Sequence, residues 1–127
     1  MQERPVYLDL TKIRLPMSAF SSITHRLSGI YVFFVTLPLL LYIINESTSS
    51  KSNFDQLLSS LNTFNIFSIF FYISISIFWY HILTGIRHLI MDFFHVGESL
   101  QGANYSAIFV ICFWMLSFLL FLGYNFI

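Results

Sequence analysis

Residues 64–92 read FNIFSIFFYISISIFWYHILTGIRHLIMD, and this stretch decides the fold. From Phe64 to about Leu83 it carries no charged residue, and its length suffices to cross a hydrocarbon core of roughly 30 Å at about 1.5 Å per helical residue. It then ends in His81-Ile-Leu-Thr-Gly85-Ile-Arg87-His88-Leu-Ile-Met-Asp92, so two histidines, an arginine and an aspartate close a segment otherwise fit for lipid. An ionisable residue inside a membrane segment costs at least about 2.5–3.5 kcal/mol on insertion scales, so it is by default a hypothesis of function with a partner to be named. For a histidine the natural partner is a metal.

The rest of the chain agrees about the solvent. Of 127 residues, 57% are hydrophobic, 20% aromatic and only 9% charged, and the mean hydropathy is +0.76. A water-facing domain carries about 25% charged residues. The formal net charge is zero, which leaves no electrostatic footprint for nucleic acid. Cys112, the single cysteine, lies in an apolar run and forms no internal disulfide. The opening MQERPVYLDLTKIRLP has neither the apolar core of a signal peptide nor the Arg- and Ser-rich character of a transit peptide. A bacterial chain, or one encoded inside an organelle, is expected.

The chain therefore reads as an all-α membrane protein of one domain spanning residues 1–127. It has an inner-side segment at 1–20 and transmembrane helices at about 21–45, 64–91 and 104–127. NESTSSKSNFDQ, between the first two, reads as a solvated loop, and HVGESLQG, with two glycines, joins the second and third. Pro38 falls inside the first helix and should kink it. Arg4, Lys12, Arg14 and Arg26 precede or open the first helix, Lys51 alone sits in the first loop, and Arg87 closes the second helix. The excess of basic residues puts the N-terminus on the cytoplasmic or matrix side.

Arg26 and Arg87 then fall at one face of the membrane. Ser22, Arg26 and Gly29 share a stripe of the first helix, as do His81, Gly85 and His88 on the second. His81 lies six residues deeper than Arg87, about 9 Å at the helical rise. Ligation of haem iron is a common use of an imidazole at that depth. A hydrogen-bonded helix contact is the competing reading, and the spacing alone leaves both open. Gly85 would let a macrocycle or another helix approach the backbone. Arg87 and His88 suit haem propionates, although snorkelling to lipid phosphate explains them equally well. Asp92 reads as a local ion-pair partner, His95 and Glu98 as loop residues, and Trp79, Tyr80 and Trp114 as packing or interface anchors.

Two signatures together carry a resemblance. Arg4-Pro5, Leu8-Asp9-Leu10 and Ser22-Ile-Thr-His25-Arg26-Leu-Ser28-Gly29 precede or open the first helix, and His81-x-x-x-Gly85-Ile-Arg87-His88-Leu, with Asp92, ends the second. In their order and separation they resemble the cytochrome b556 family of membrane anchors of succinate dehydrogenase, over nearly the whole chain. The resemblance implies a three-helix part of a haem-binding bundle, with a haem b shared with the smaller anchor subunit. His81 would be the axial ligand, and Arg26, His88 and Arg87 would lie near the propionates. Ser22 and Arg26, with His25 a weaker candidate, would help bind ubiquinone.

The implied partners are the flavoprotein, iron–sulfur and smaller anchor subunits and the lipid bilayer, with no nucleic acid. The Leu8-Asp9-Leu10 form points to a bacterial inner membrane, with a mitochondrial inner membrane as the alternative. By this reading the chain is a non-catalytic electron-transfer subunit, since it has neither room for a flavin domain nor the cysteines for clusters. A haem-free anchor of the fumarate reductase type and a small transporter or channel component are the rival readings. The second needs a polar path or internal symmetry that the sequence does not display.

Overall fold

The computed structural model describes residues 15–95, 97 and 99–126. Arg4, Lys12, Arg14, the Leu8-Asp9-Leu10 motif and Glu98 lie outside the described residues. The elements in chain order are α1 (Met17–Tyr31), a π-helical turn (Val32–Thr36), α2 (Leu37–Ser49), α3 (Lys51–Asn62), α4 (Ile66–Phe94) and α5 (Leu100–Phe126). Among the described residues, three stretches are long and apolar enough to cross a membrane: Met17–Ser49, Ile66–Phe94 and Leu100–Asn125. Their 33, 29 and 26 residues reach about 40–50 Å, more than the hydrocarbon alone requires. Their ends therefore stand in the headgroup layer.

Hydrogen bonding sets these ends. Asn65 Oδ1 accepts from the Ser68 amide at 2.9 Å while Ser68 Oγ accepts from the Asn65 amide at 3.1 Å, a reciprocal cap that starts α4. His95, at φ 53°, closes the same helix in the left-handed region. Gly97 follows at φ 82°, where a side chain would be strained. A Cβ on Gly102 would stand 3.0 Å from the Gly97 Cα, so the turn into α5 is tight because both residues are glycine.

The polar stretch read as a loop is mostly helical. α2 continues to Ser49, with the hydroxyls of Ser47, Thr48 and Ser49 bonded back to carbonyls of the preceding turn. The chain breaks at Ser50, whose backbone is extended and whose Oγ accepts from the Asn53 amide at 3.1 Å to start α3. Pro38, for its part, sits in the first turn of α2, directly after the π turn. The Leu37 amide reaches five residues back to the Val32 carbonyl, so the widened turn absorbs the proline without interrupting the span.

α1, α4 and α5 pack mutually, and α3 lies against α2 and α4. The interior is inverted relative to a soluble protein. Ser21, Ser28, Ser68, Ser74, Ser76, Thr84 and Ala107 are buried, while most large apolar side chains face outward. Small residues let membrane helices approach closely, and their hydroxyls bond across the contact. Tyr31 Oη meets Ser74 Oγ at 3.1 Å, and Thr24 Oγ1 bonds Tyr80 Oη. Between α4 and α5, Trp79 Nε1 donates to Ser117 Oγ and Trp114 Nε1 to the Ser76 carbonyl, both at 2.9 Å. The tryptophans are thus packing residues whose polar edges are satisfied.

Candidate functional site

The second half of α4 crosses α1 through a cluster of imidazoles. The His25 and His81 rings stack at 4.4 Å with planes 9° apart, and His88 lies 5.2 Å from His25 at a 46° tilt. Two glycines permit this approach. A Cβ on Gly29 would lie 3.1 Å from His81 Cε1, and one on Gly85 would lie 3.3 Å from His25 Nε2.

His81 is oriented by hydrogen bonds on one side of its ring. Its Nδ1 is 3.0 Å from Ser28 Oγ and 3.3 Å from the His25 carbonyl oxygen. Ser28 Oγ already donates to that carbonyl at 2.7 Å. The His25 carbonyl can only accept, so the contact that Nδ1 also makes with it favours the tautomer with the proton on Nδ1. This tautomer leaves Nε2 with a free lone pair. An imidazole whose Nδ1–H is held by an oxygen and whose Nε2 is unprotonated has the form in which histidines ligate metals. Among the described residues, no three His, Cys, Asp or Glu side chains are arranged to hold a metal ion. The cluster offers one oriented ligand nitrogen rather than a complete centre.

The residues expected at the site divide into two groups. His81, His88 and His25 come together, as do Gly29 and Gly85. Ser22 is half-buried and Arg26 exposed, on the same segment of α1 but with no hydrogen bond from either side chain to another described residue. Arg87 turns away from the histidines. It is 5% exposed, with Nε donating to Ser106 Oγ at 2.9 Å and Nη2 to the Ala103 carbonyl at 2.8 Å, both on α5. Ser28, which contacts the His81 ring, was quoted in the first signature but given no role of its own. A signal for it exists, since Ser21, Thr24, Ser28 and Tyr31 repeat hydroxyls at spacings of three and four along one stripe of α1.

Ser28 also lines a cavity of about 440 Å³ between α1, α4 and α5, together with Phe20, Thr24, Tyr31, Tyr80 and Trp114. Its walls are apolar apart from a few hydroxyls, which suits a hydrocarbon group better than a polar one.

With this geometry in hand, comparison with known proteins is informative. The family model described as "Succinate dehydrogenase/Fumarate reductase transmembrane subunit" matches residues 1–121. The chain belongs to that family. Relatives support the assignment across bacteria and eukaryotes. The chain is 38% identical over 113 residues to the succinate dehydrogenase cytochrome b556 subunit of Coxiella burnetii, covering 87% of this chain and 89% of the relative. It is 32% identical over 120 residues to the cytochrome b556 subunit of Rickettsia prowazekii, covering 93% and 90%. It is also similar to the cytochrome b560 subunit of Porphyra purpurea, at 37% identity over 92 residues, covering 70% and 71%. As a member of the succinate dehydrogenase/fumarate reductase transmembrane subunit family, it is a multi-pass membrane anchor of an enzyme complex. The three spans and their outward apolar side chains are the physical basis of that anchoring.

Proposed function

We propose that this chain is the membrane-anchoring cytochrome b subunit of a succinate:ubiquinone oxidoreductase. His81 would supply one ligand to a haem b shared with the smaller anchor subunit, and the chain would help form the site of ubiquinone reduction. The observation that carries the reading is the Ser28–His81 bond, because it orients the ring and leaves Nε2 as a lone-pair donor within the membrane. Haem b supplies one-electron chemistry when bound. Gly29 and Gly85 keep the ring faces clear of methyl groups, and His25 stacks on His81 to fix its plane. Arg26 and His88 are the groups proposed for the propionates, since the Arg87 guanidinium is bonded to α5. In this reading Ser22 and Arg26, with His25 behind them, hold a quinone carbonyl at the membrane surface, where a hydroxyl and a guanidinium can donate to it. The membrane is a bacterial inner membrane with the N-terminus cytoplasmic. Electrons arrive through flavoprotein and iron–sulfur subunits docked on that side.

The test is an optical difference spectrum of the purified complex, reduced first with succinate and then with dithionite. A b-type band is expected with succinate as the only reductant. No band after either addition would overturn the haem assignment.

The quinone assignment has its own check. Ser22→Ala or Arg26→Leu should slow quinone reduction by about tenfold or more, as befits loss of a charge-assisted hydrogen bond. Succinate oxidation by a water-soluble artificial acceptor should be unchanged. Equal loss of both activities would show failed assembly, whereas unchanged quinone reduction in the assembled variants would remove Ser22 and Arg26 from the quinone site.

A further inference from the structure

A second cavity, of about 160 Å³, lies at the end of the bundle remote from the histidines, where α2, α3 and α4 meet. Its walls include Tyr42 and Glu46 of α2, Asn53, Gln56 and Ser60 of α3, and Phe67 of α4. The electron-transfer role proposed above uses none of them. Glu46 brings a carboxylate to the end of a membrane-spanning helix, in the headgroup layer. Its Oε2 accepts one hydrogen bond, from Asn53 Nδ2 at 3.0 Å. An ionised carboxylate has about four accepting positions, so capacity remains for a cationic donor. On the same wall, Tyr42 and Phe67 set their rings edge to face, with centroids 6.2 Å apart and planes at 77°. A carboxylate beside aromatic rings is the chemistry that recognises an ammonium group.

The position of the cavity says what carries the ammonium. α3 joins the ends of two spans, so it lies at the membrane surface. One of its sides packs on α2 and α4. Another exposes Phe54 and Leu58, one turn apart and 45% and 47% exposed. Beyond α3, Phe64 and Ile66 are 80% and 88% exposed. A surface helix with an uncovered apolar stripe rests in the headgroup and upper acyl layer. The polar cavity and the apolar stripe therefore meet at the depth where a phospholipid changes from head to chain. The amide and hydroxyl groups of Gln56 and Ser60 favour a head group that can donate hydrogen bonds, and a trimethylated one cannot.

We infer that the α2–α3–α4 cavity binds the primary ammonium of a phosphatidylethanolamine-type lipid, with Glu46 as its counter-ion and the acyl chains along Phe54, Leu58 and Phe64. The site orders lipid at the end of the anchor opposite the proposed haem and quinone groups. It depends on neither of them.

The experiment uses the intact purified complex, stripped of lipid in detergent and exchanged into mixed micelles of equal phosphatidylethanolamine, phosphatidylcholine and phosphatidylglycerol. Retained lipid is then counted by native mass spectrometry. The wild-type complex should retain phosphatidylethanolamine over both others, and Glu46→Gln should lower that retention about tenfold while leaving phosphatidylglycerol unchanged. Tyr42→Leu keeps the carboxylate and should give a smaller loss, and it serves as the second variant should Glu46→Gln fail to assemble. Absence of a phosphatidylethanolamine preference in the wild type, or unchanged retention in Glu46→Gln, overturns the inference. So does loss of the smaller anchor subunit from Glu46→Gln with lipid retention intact, because the occupant would then be a cationic side chain of a partner.

Discussion

Replacing His81 with Leu is expected to remove the b-type absorbance of the assembled complex almost completely while leaving the anchor folded. The asymmetry follows from the hydrogen bonds. His81 holds the one nitrogen of the cluster whose orientation and tautomer are fixed by a neighbouring oxygen, and leucine supplies no lone pair. The bundle itself loses little. Ser28 Oγ keeps its 2.7 Å bond to the His25 carbonyl, so no polar atom is orphaned when the imidazole leaves. A hydrogen bond between membrane helices is worth on average about 0.6 kcal/mol. Leucine is also at home in lipid. Haem content per assembled complex, measured against protein after size-exclusion chromatography, is the readout, and an unchanged haem band would remove His81 as the ligand. Ser28→Ala should give a milder result, with haem retained but its spectrum altered, because the ring would keep its position and lose its preferred tautomer.

The second large effect is expected at Arg87, and it concerns stability. Its guanidinium is buried and makes two bonds to neutral groups of α5, Ser106 Oγ and the Ala103 carbonyl. Hydrogen bonds from a charged donor contribute about 1.5–3 kcal/mol each. Part of that sum is offset when the cost of burying the charge is removed as well. Arg87→Met, which fills similar space without donors, should therefore destabilise the α4–α5 contact by about 2–3 kcal/mol. The midpoint of thermal loss of the haem band in the purified complex should fall by several degrees, with the spectrum before heating unchanged. A variant as heat-stable as the wild type but with an altered spectrum would reverse the assignment, since the guanidinium would then act on the cofactor and not on α5.

Much of the anchor was legible because lipid imposes a simple rule on sequence: runs of about twenty apolar residues must cross. The polar closure of the second span was equally plain, and His25, His81 and His88 do meet. What the sequence left open depends largely on rotation about helix axes. Arg26 and Arg87 were expected at one face of the membrane, yet depth says nothing of azimuth, and the Arg87 guanidinium is bonded to the first turns of α5, at Ser106 and Ala103. Ser28 was quoted in the signature without a role, because a serine next to a glycine reads as a small packing residue until the ring opposite is known. α3 was read as loop since its serines and asparagines are poor helix formers. It is helical because Ser50 caps it and its Leu57 and Leu61 side lies against the bundle.

The π turn at Val32–Thr36 has a meaning beyond the proline beside it. Each residue of an α-helix advances by about 100°, so one extra residue in a turn offsets everything that follows by that angle. The half of the span that carries His25, Ser28 and Gly29 and the half that carries Tyr42 and Glu46 are thereby phased independently, like two gears joined by an adjustable coupling. Each half can keep its own alignment, one toward the imidazoles of α4 and the other toward α3, without a common heptad repeat. Selection on the end that holds the imidazole cluster therefore need not constrain the end that meets the opposite leaflet.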